Sequence, residues 1–309
     1  MEAHSPEAIG RRMDALGLWE SVYPCNWAVK PHGVAFPYFC TALKGDRPEV
    51  KVRFLMLEGW QTLHDFVRTR QDRFFGFCSS PTELPHFELM VLSNGMCHLA
   101  RHEAGYVPRP LKDAERPLVA NLLWESYGVM MRLENAGPAL VLTYAGEQSF
   151  FARIESADGT WTDGPLAIPP PRPHVEKVSF AKEDIAKAKD IPFDPDYGIE
   201  VDFRILPTRF TREARPRLCY ALVAVDDKTG EKMISLLASM NPETGLRGLW
   251  EGMPGRLLKE LIAHGRIPGR VKTVSARVFR LVSPLGIELP FKLSLHDRLE
   301  NLEKAYAGI

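Results

Sequence analysis

The sequence predicts an α+β domain followed by an α/β domain with a mixed sheet, and three features of its 309 residues carry that prediction. Helical and alternating strand-like patterns are mixed up to about residue 137. Five prolines (Pro165, Pro169, Pro170, Pro171 and Pro173) then crowd a stretch that cannot enter a helix or a central strand. Beyond residue 197 the runs read hairpin, helix, strand, helix, strand, helix. The expected boundaries are 1–137 for the α+β domain, 138–196 for a β-hairpin and Pro-rich connector, and 197–309 for the α/β domain.

The first helix is announced by Ser5-Pro6-Glu7, which supplies a hydroxyl cap, a first-turn proline and an acid beside the helix dipole. Ile9, Met13, Leu16 and Leu18 or Trp19 continue it at helical spacing until Pro24. Strands are expected at 33–43 and 50–58, joined by "KGDRPE". Leu63, Phe66 and Val67 give a helix over 60–70. "FELMVLSN" and "MCHLARH" form a hairpin with Asn94-Gly95 as its tight turn. Asp113 caps a helix over about 114–133, which Gly137-Pro138 closes.

Two more strands, "ALVLTYAG" and "SFFARIES", and the turn "ADGTWTDG" precede the proline run. A short charged helix over 179–190 follows, with Ser179 placed to cap it. In the second domain "IEVDFRILP" is a strand, and "LCYALVAV" and "KMISLLASM" form a hairpin around "DDKTGE". A helix over about 250–264 whose start Gly252 and Pro254 delay, a strand in "GRIPGRVKTVSA", a short helix in "ARVFRLVSPLG", a strand in "IELPFKL" and a last helix in "LHDRLENLEKAY" complete it.

Composition narrows the function. Acids and bases each total 39, so the neutral chain has no global attraction to nucleic acid or membrane. The N-terminus lacks the apolar core of a secretory signal, and no run reaches the roughly 18 apolar residues of a membrane span. Five scattered cysteines with no C-x-x-C pair read as small buried hydrophobes in a reducing, cytoplasmic setting. Trp27, Trp60, Trp124 and Trp250 lie in apolar periodic segments and read as core.

Two resemblances arise. The pattern "RPRLCYALVAVDDKTGEKM", a helix, "GRIPGRV", a helix and "LGIEL" resembles a family of bacterial domains of unknown function, over about 200–309. "GVAFPYFCTALKG", "MLEGWQTLHDFV" and "GYVPRPLKDAERPLVANLLWE" resemble the domain that often precedes it. This resemblance implies no activity. A second one is topological: an Asp-ended strand, a hairpin return, a helix and "P-x-x-V" leading into a strand are similar to integrase-type members of the ribonuclease H-like fold. It implies two metal ions held by carboxylates from the first strand, the fourth strand and a late helix.

On that pattern Asp226 or Asp227 would supply the first carboxylate, and Asp297 and Glu300, three apart on the last helix, a second pair. Lys272 and Ser275 occupy the intervening strand slot where an acid is required, and "VDDKTGE" also suits an ordinary hairpin turn. No metal or cofactor is therefore expected. His98 and His102 share a strand face but lie about 13 Å apart, too far for one zinc. His86 and Glu88 form "HFE" without the cysteine pair of a deaminase site. Eight bases (Arg247, Arg256, Lys259, Arg266, Arg270, Lys272, Arg277 and Arg280) against Glu251 and Glu260 give 247–280 a local charge of 8 − 2 = +6. They form either a phosphate-binding patch or solvated surface. Three functions compete: a non-enzymatic cytoplasmic binding or assembly protein with a protein partner, a nucleic-acid binder with a degenerate ribonuclease H-like domain, and a metal-dependent hydrolase with an unrecognised site.

Overall fold

The structure is a computed structural model that describes residues 5–19, 26–71, 81–137, 140, 149–167, 169–170, 177–210 and 214–309. Two compact units emerge. The first comprises Met1–Phe66, Leu84–Glu103 and Pro108–Arg172; the second comprises Val67–Glu83, Ala104–Val107 and Pro173–Ile309. The first is α+β and the second a mixed α/β sandwich.

The first unit is built on seven strands: β1 (Asn26–Lys30), β2 (Tyr38–Lys44), β3 (Val50–Glu58), β4 (His86–Leu92), β5 (Cys97–His102), β6 (Ser149–Glu155) and β7 (Trp161–Ala167). They run in the order β5-β4-β3-β2-β1-β6-β7. Every neighbouring pair is antiparallel except β1 and β6. Of the expected connector strands, "SFFARIES" forms β6 and extends this sheet through pairs such as Ala28 with Ala152. Its antiparallel partner is β7, which takes up residues 161–164 of the expected turn and Pro165 as a sheet edge. Strand β1 escapes the sequence pattern, and the strand expected over 33–43 starts only at Tyr38. "ALVLTYAG", apart from Leu140, lies outside the described residues.

Alternation gives the sheet two faces. Cys40, Phe54, Met56, Phe87, Leu89 and Val91 point to a core shared with Ile9 and Met13 of α1 (Pro6–Ala15) and Leu122, Leu123 and Met130 of α3 (Arg116–Ala136). Ser5 caps α1 by accepting from Ala8 N at 3.2 Å. Trp27 is fully buried and donates from Nε1 to Ser126 Oγ at 3.2 Å. Trp60, on α2 (Gly59–Gln71), packs against Phe39, whereas Trp124 is partly exposed beside the Arg12 guanidinium. Cys40 is buried and Cys97 half-buried; Cys25 and Cys78 lie outside the described residues.

In the second unit, β8 (Phe193–Phe210), β9 (Arg217–Asp226), β10 (Lys232–Ala238), β11 (Ile267–Thr273) and β12 (Lys292–Leu295) form a sheet in the order β10-β9-β8-β11-β12. Strand β9 runs against its neighbours β8 and β10, whereas β11 is parallel to both β8 and β12. Tyr220, Leu222, Ala224, Val201 and Phe203 face a core made with α5 (Gly245–Glu251), α6 (Met253–His264) and α7 (Ala276–Glu288). Ala221, Val223 and Val225 face the other way, onto Leu302 of α8 (Glu300–Ala307). With both faces covered, "RLCYALVAV" reads as a continuous apolar run. Buried Cys219 belongs to the α8 side.

Local chemistry trims the expected helices. The helix expected over about 250–264 starts late, at Met253, with Gly252 before it and Pro254 in the first turn of α6. Trp250 and Glu251 belong instead to the end of the separate helix α5. Gly265, at φ 74°, ends α6 in the left-handed conformation that glycine adopts without strain. The helix read as short becomes the 13-residue α7, which Ser275 caps at Val278 N and which contains Pro284. The charged helix α4 (Lys182–Lys189) starts after Ala181, so Ser179 does not cap it. Among the described residues no helix is long and apolar enough to cross a membrane.

Candidate functional site

The first unit carries a polar cluster on the sheet face opposite its core. On β4 the core residues Phe87, Leu89 and Val91 alternate with His86 and Glu88, which therefore project to the other side. Between β4 and β5, Leu92 N bonds to Met96 O around Ser93, Asn94 and Gly95, with Gly95 at φ 78°. This three-residue turn sets His86 directly opposite His102 and Glu88 opposite Ala100. Arg53 of β3 reaches the same face, diagonally from Glu88.

All three ligand-type side chains are buried: His86 at 0%, Glu88 at 2% and His102 at 4% exposure. The imidazoles stack with centroids 4.1 Å apart and planes 15° from parallel. His86 Nδ1 lies 2.8 Å from Leu84 O. A carbonyl only accepts, so Nδ1 carries the proton and Nε2 presents a lone pair. That Nε2 is buried and has no hydrogen-bond partner among the described residues. Glu88 takes the Arg53 Nε–H on one oxygen. Its other oxygen lies 2.7 Å from His102 Nε2, close but off the line of an N–H···O bond. One ligand atom from each of His86, Glu88 and His102 falls within 4.8 Å of the others.

Electrostatics keeps His86 and Glu88 in ligand form. Burial, reinforced by the neighbouring His102, pushes the His86 pKa down to about 3. Burial works against the Glu88 charge, but the adjacent His102 imidazole and the Arg53 guanidinium outweigh it and hold the carboxyl at about 2. At neutral pH the cluster offers a neutral imidazole beside an ionised carboxylate.

The second unit has a polar cluster of another kind, on its α8 side. Glu200 and Asp202 of β8 project there between the apolar residues of the opposite face. Glu200 accepts from Leu302 N at 3.0 Å, serving the first turn of α8. Asp202 accepts from Arg204 Nε at 2.5 Å and from Phe203 N at 2.8 Å. Lys272, opposite Glu200 in the register, places Nζ 3.0 Å from Asp227, and Arg270 Nε stands 3.7 Å from the same carboxylate. Every acid here faces a cation or a backbone donor.

The acids singled out in the sequence do not converge. Asp226 folds back on its own turn, accepting from Lys228 N at 2.8 Å and Thr229 N at 2.7 Å. Burial opposes its charge, but the Thr229 and Lys228 amides prevail and hold its carboxyl below the usual range. Asp297 precedes α8 rather than sharing a helical face with Glu300, and both are exposed. The basic residues are dispersed as well. Arg266 pairs with Asp194, Arg270 donates to Asp196 O at 3.0 Å, and buried Arg277 pairs with Glu83 at 3.0 Å while stacking on Trp250. Arg247 pairs with Glu251 at 2.8 Å, and Arg256 and Lys259 are exposed on α6.

Residues 184–309 match the family model of a domain of unknown function, DUF6930. No curated protein matches the chain, and no solved structure does.

Proposed function

We propose that this chain is a non-catalytic, cytoplasmic bacterial binding protein whose C-terminal unit uses a ribonuclease H-like arrangement as scaffold. The order β10-β9-β8-β11-β12, with β9 alone running against the rest, supports that arrangement. It makes β8, not the Asp226-ended β9, the first strand, so Glu200 and Asp202 stand where first-strand acids would be. The observation that carries the reading is Lys272. On the fourth strand, β11, its ammonium sits 3.0 Å from Asp227 and opposite Glu200, a fixed positive charge where two-metal chemistry needs a carboxylate.

A protein fits as partner better than nucleic acid. Most bases of 247–280 are spent on carboxylates and carbonyls of the same unit, which leaves few charges to release counterions from phosphates. Buried Cys40 and Cys219, neither in a disulfide, accord with a reducing compartment.

The test incubates the full chain with single- and double-stranded DNA and RNA and a phosphomonoester, in Mg²⁺ or Mn²⁺. Fluorescence anisotropy at two salt concentrations runs in parallel. No turnover and no salt-sensitive binding are expected. Metal-dependent cleavage that disappears in Asp202→Asn overturns the reading.

A further inference from the structure

We propose that His86, Glu88 and His102 of the first unit bind one divalent transition-metal ion, of the zinc, iron(II) or cobalt(II) class. The inference concerns a different unit from the one that carries the functional reading and stands independently of it.

Four observations converge. The register places His86 and His102 opposite each other with Glu88 two residues along the same face. The three ligand atoms are within 4.8 Å of one another, close enough for rotation of the imidazoles out of their stack to bring them to an ion bound at about 2.0–2.2 Å. The Leu84 carbonyl holds the His86 Nδ1–H, the orientation that second-shell carbonyls impose on metal-binding imidazoles. Finally, the His86 Nε2 lone pair is buried and, among the described residues, has no hydrogen-bond partner. An unmet buried acceptor is costly, and a metal ion uses such a lone pair directly.

Arg53 shapes the choice of ion. Its guanidinium occupies one oxygen of Glu88 and offsets the carboxylate charge. The other oxygen remains on the histidine side. A charge-compensated carboxylate holds hard cations poorly, since magnesium and calcium depend on several oxygen ligands. Two imidazoles favour ions that bond well to nitrogen. The His₂Glu set leaves further coordination positions to water or another small ligand. With the three residues at 4% exposure or less, the chemistry points to retention of the ion rather than turnover of a large substrate. Retention would join β4 to the terminal strand β5 of the sheet.

The full chain, stripped with chelator and dialysed, is titrated with Zn²⁺ by calorimetry and with Co²⁺ by visible absorption. One equivalent per chain is expected. At about 100-fold excess of free zinc over Kd the thermal midpoint rises by at least about 5 °C. His86→Gln and His102→Gln each weaken binding by at least about tenfold, with folding checked by circular dichroism. Because these positions are buried, X-ray absorption of the zinc-loaded wild type supplies a test free of variants: two imidazoles plus oxygen are expected. Absence of stoichiometric binding, a sulfur-containing or all-oxygen shell, or undiminished binding in folded variants overturns the proposal.

Discussion

Both units bury ionisable groups on one sheet face, yet they satisfy them differently. In the second, Glu200, Asp202 and Asp227 meet a helix amide, Arg204 and Lys272 respectively. In the first, Arg53 serves one side of Glu88, and His86 retains a buried lone pair that no donor meets. Burial of charge alone therefore does not mark a ligand site. Asp227 Oδ1 of the second unit is also a buried acceptor without a partner among the described residues, but a lysine stands 3.0 Å from that carboxylate, whereas the unmet His86 nitrogen lies among three ligand-type side chains.

The largest effect that would sharpen this contrast is expected from Arg53→Ala. It leaves the Glu88 carboxylate, 2% exposed, without its guanidinium, and metal-free stability should fall by about 3–5 kcal/mol. Zinc should recover part of that loss and bind more tightly than in the wild type, because the freed charge serves the ion. Urea unfolding with and without zinc reads both quantities; a loss that zinc leaves untouched breaks the contrast.

Lys272→Ala comes next. Asp227 keeps only the more distant Arg270, and because Lys272 is partly exposed the loss should be about 2 kcal/mol. Lys272→Glu should cost more and be partly restored by millimolar Mn²⁺, since it places a third acid beside Asp227 and Glu200. Thermal unfolding across a Mn²⁺ series measures this. An insensitive Lys272→Glu variant would show that the acids cannot converge on an ion even without the ammonium.

Gly95→Ala has a smaller expected cost, about 1 kcal/mol, because a side chain is disfavoured at φ 78° even though its Cβ would meet open space. If the turn holds the register, the zinc affinity of this variant should stay within about threefold of the wild type. Calorimetric titration decides, and a large drop would show a turn that slips.

That turn also explains why the histidine cluster is hard to read from sequence. Taken as a two-residue tight turn, Asn94-Gly95 would put His86 opposite Glu103 and send His102 to the opposite face. Beginning the turn one residue earlier, at Ser93, moves His102 onto the His86 face, since a single-residue slip exchanges the faces of a strand. The signal present was the three-residue loop pattern with glycine last. Local features such as the Ser5 cap, the "DDKTGE" hairpin and the alternation along β4 are legible because neighbouring residues determine them. The parallel pairing of β1 with β6 is not, because about 120 residues separate the partners and nothing local encodes their meeting. Lys272 was legible as a misfit for metal, but its pairing with Asp227 depends on the Gly198 crossing, where a Cβ would collide with the Asp227 carboxylate.

The smallest effect tests the scaffold side of the comparison through its pH dependence. Burial raises the Asp202 carboxyl above its usual range, outweighing the neighbouring Arg204. Between the ordinary carboxyl value and this raised one, the folded chain holds a proton that the unfolded chain has released. Stability therefore falls as pH rises through that window, by up to about 1.4 kcal/mol per pH unit, and is then flat. Asp202→Asn removes the slope, and Arg204 keeps Glu303 at 2.6 Å, so the variant should lose less than about 1 kcal/mol at pH 7. Relative to wild type it should gain as pH rises from 4 to 7. Glu200 shifts in the same direction in both proteins and cancels from the difference. Urea titrations at four pH values across this range give the comparison directly. A gap that stays constant or widens against the variant would mean that Arg204 fully stabilises the Asp202 charge, making the scaffold side a strong ion pair rather than a tolerated one.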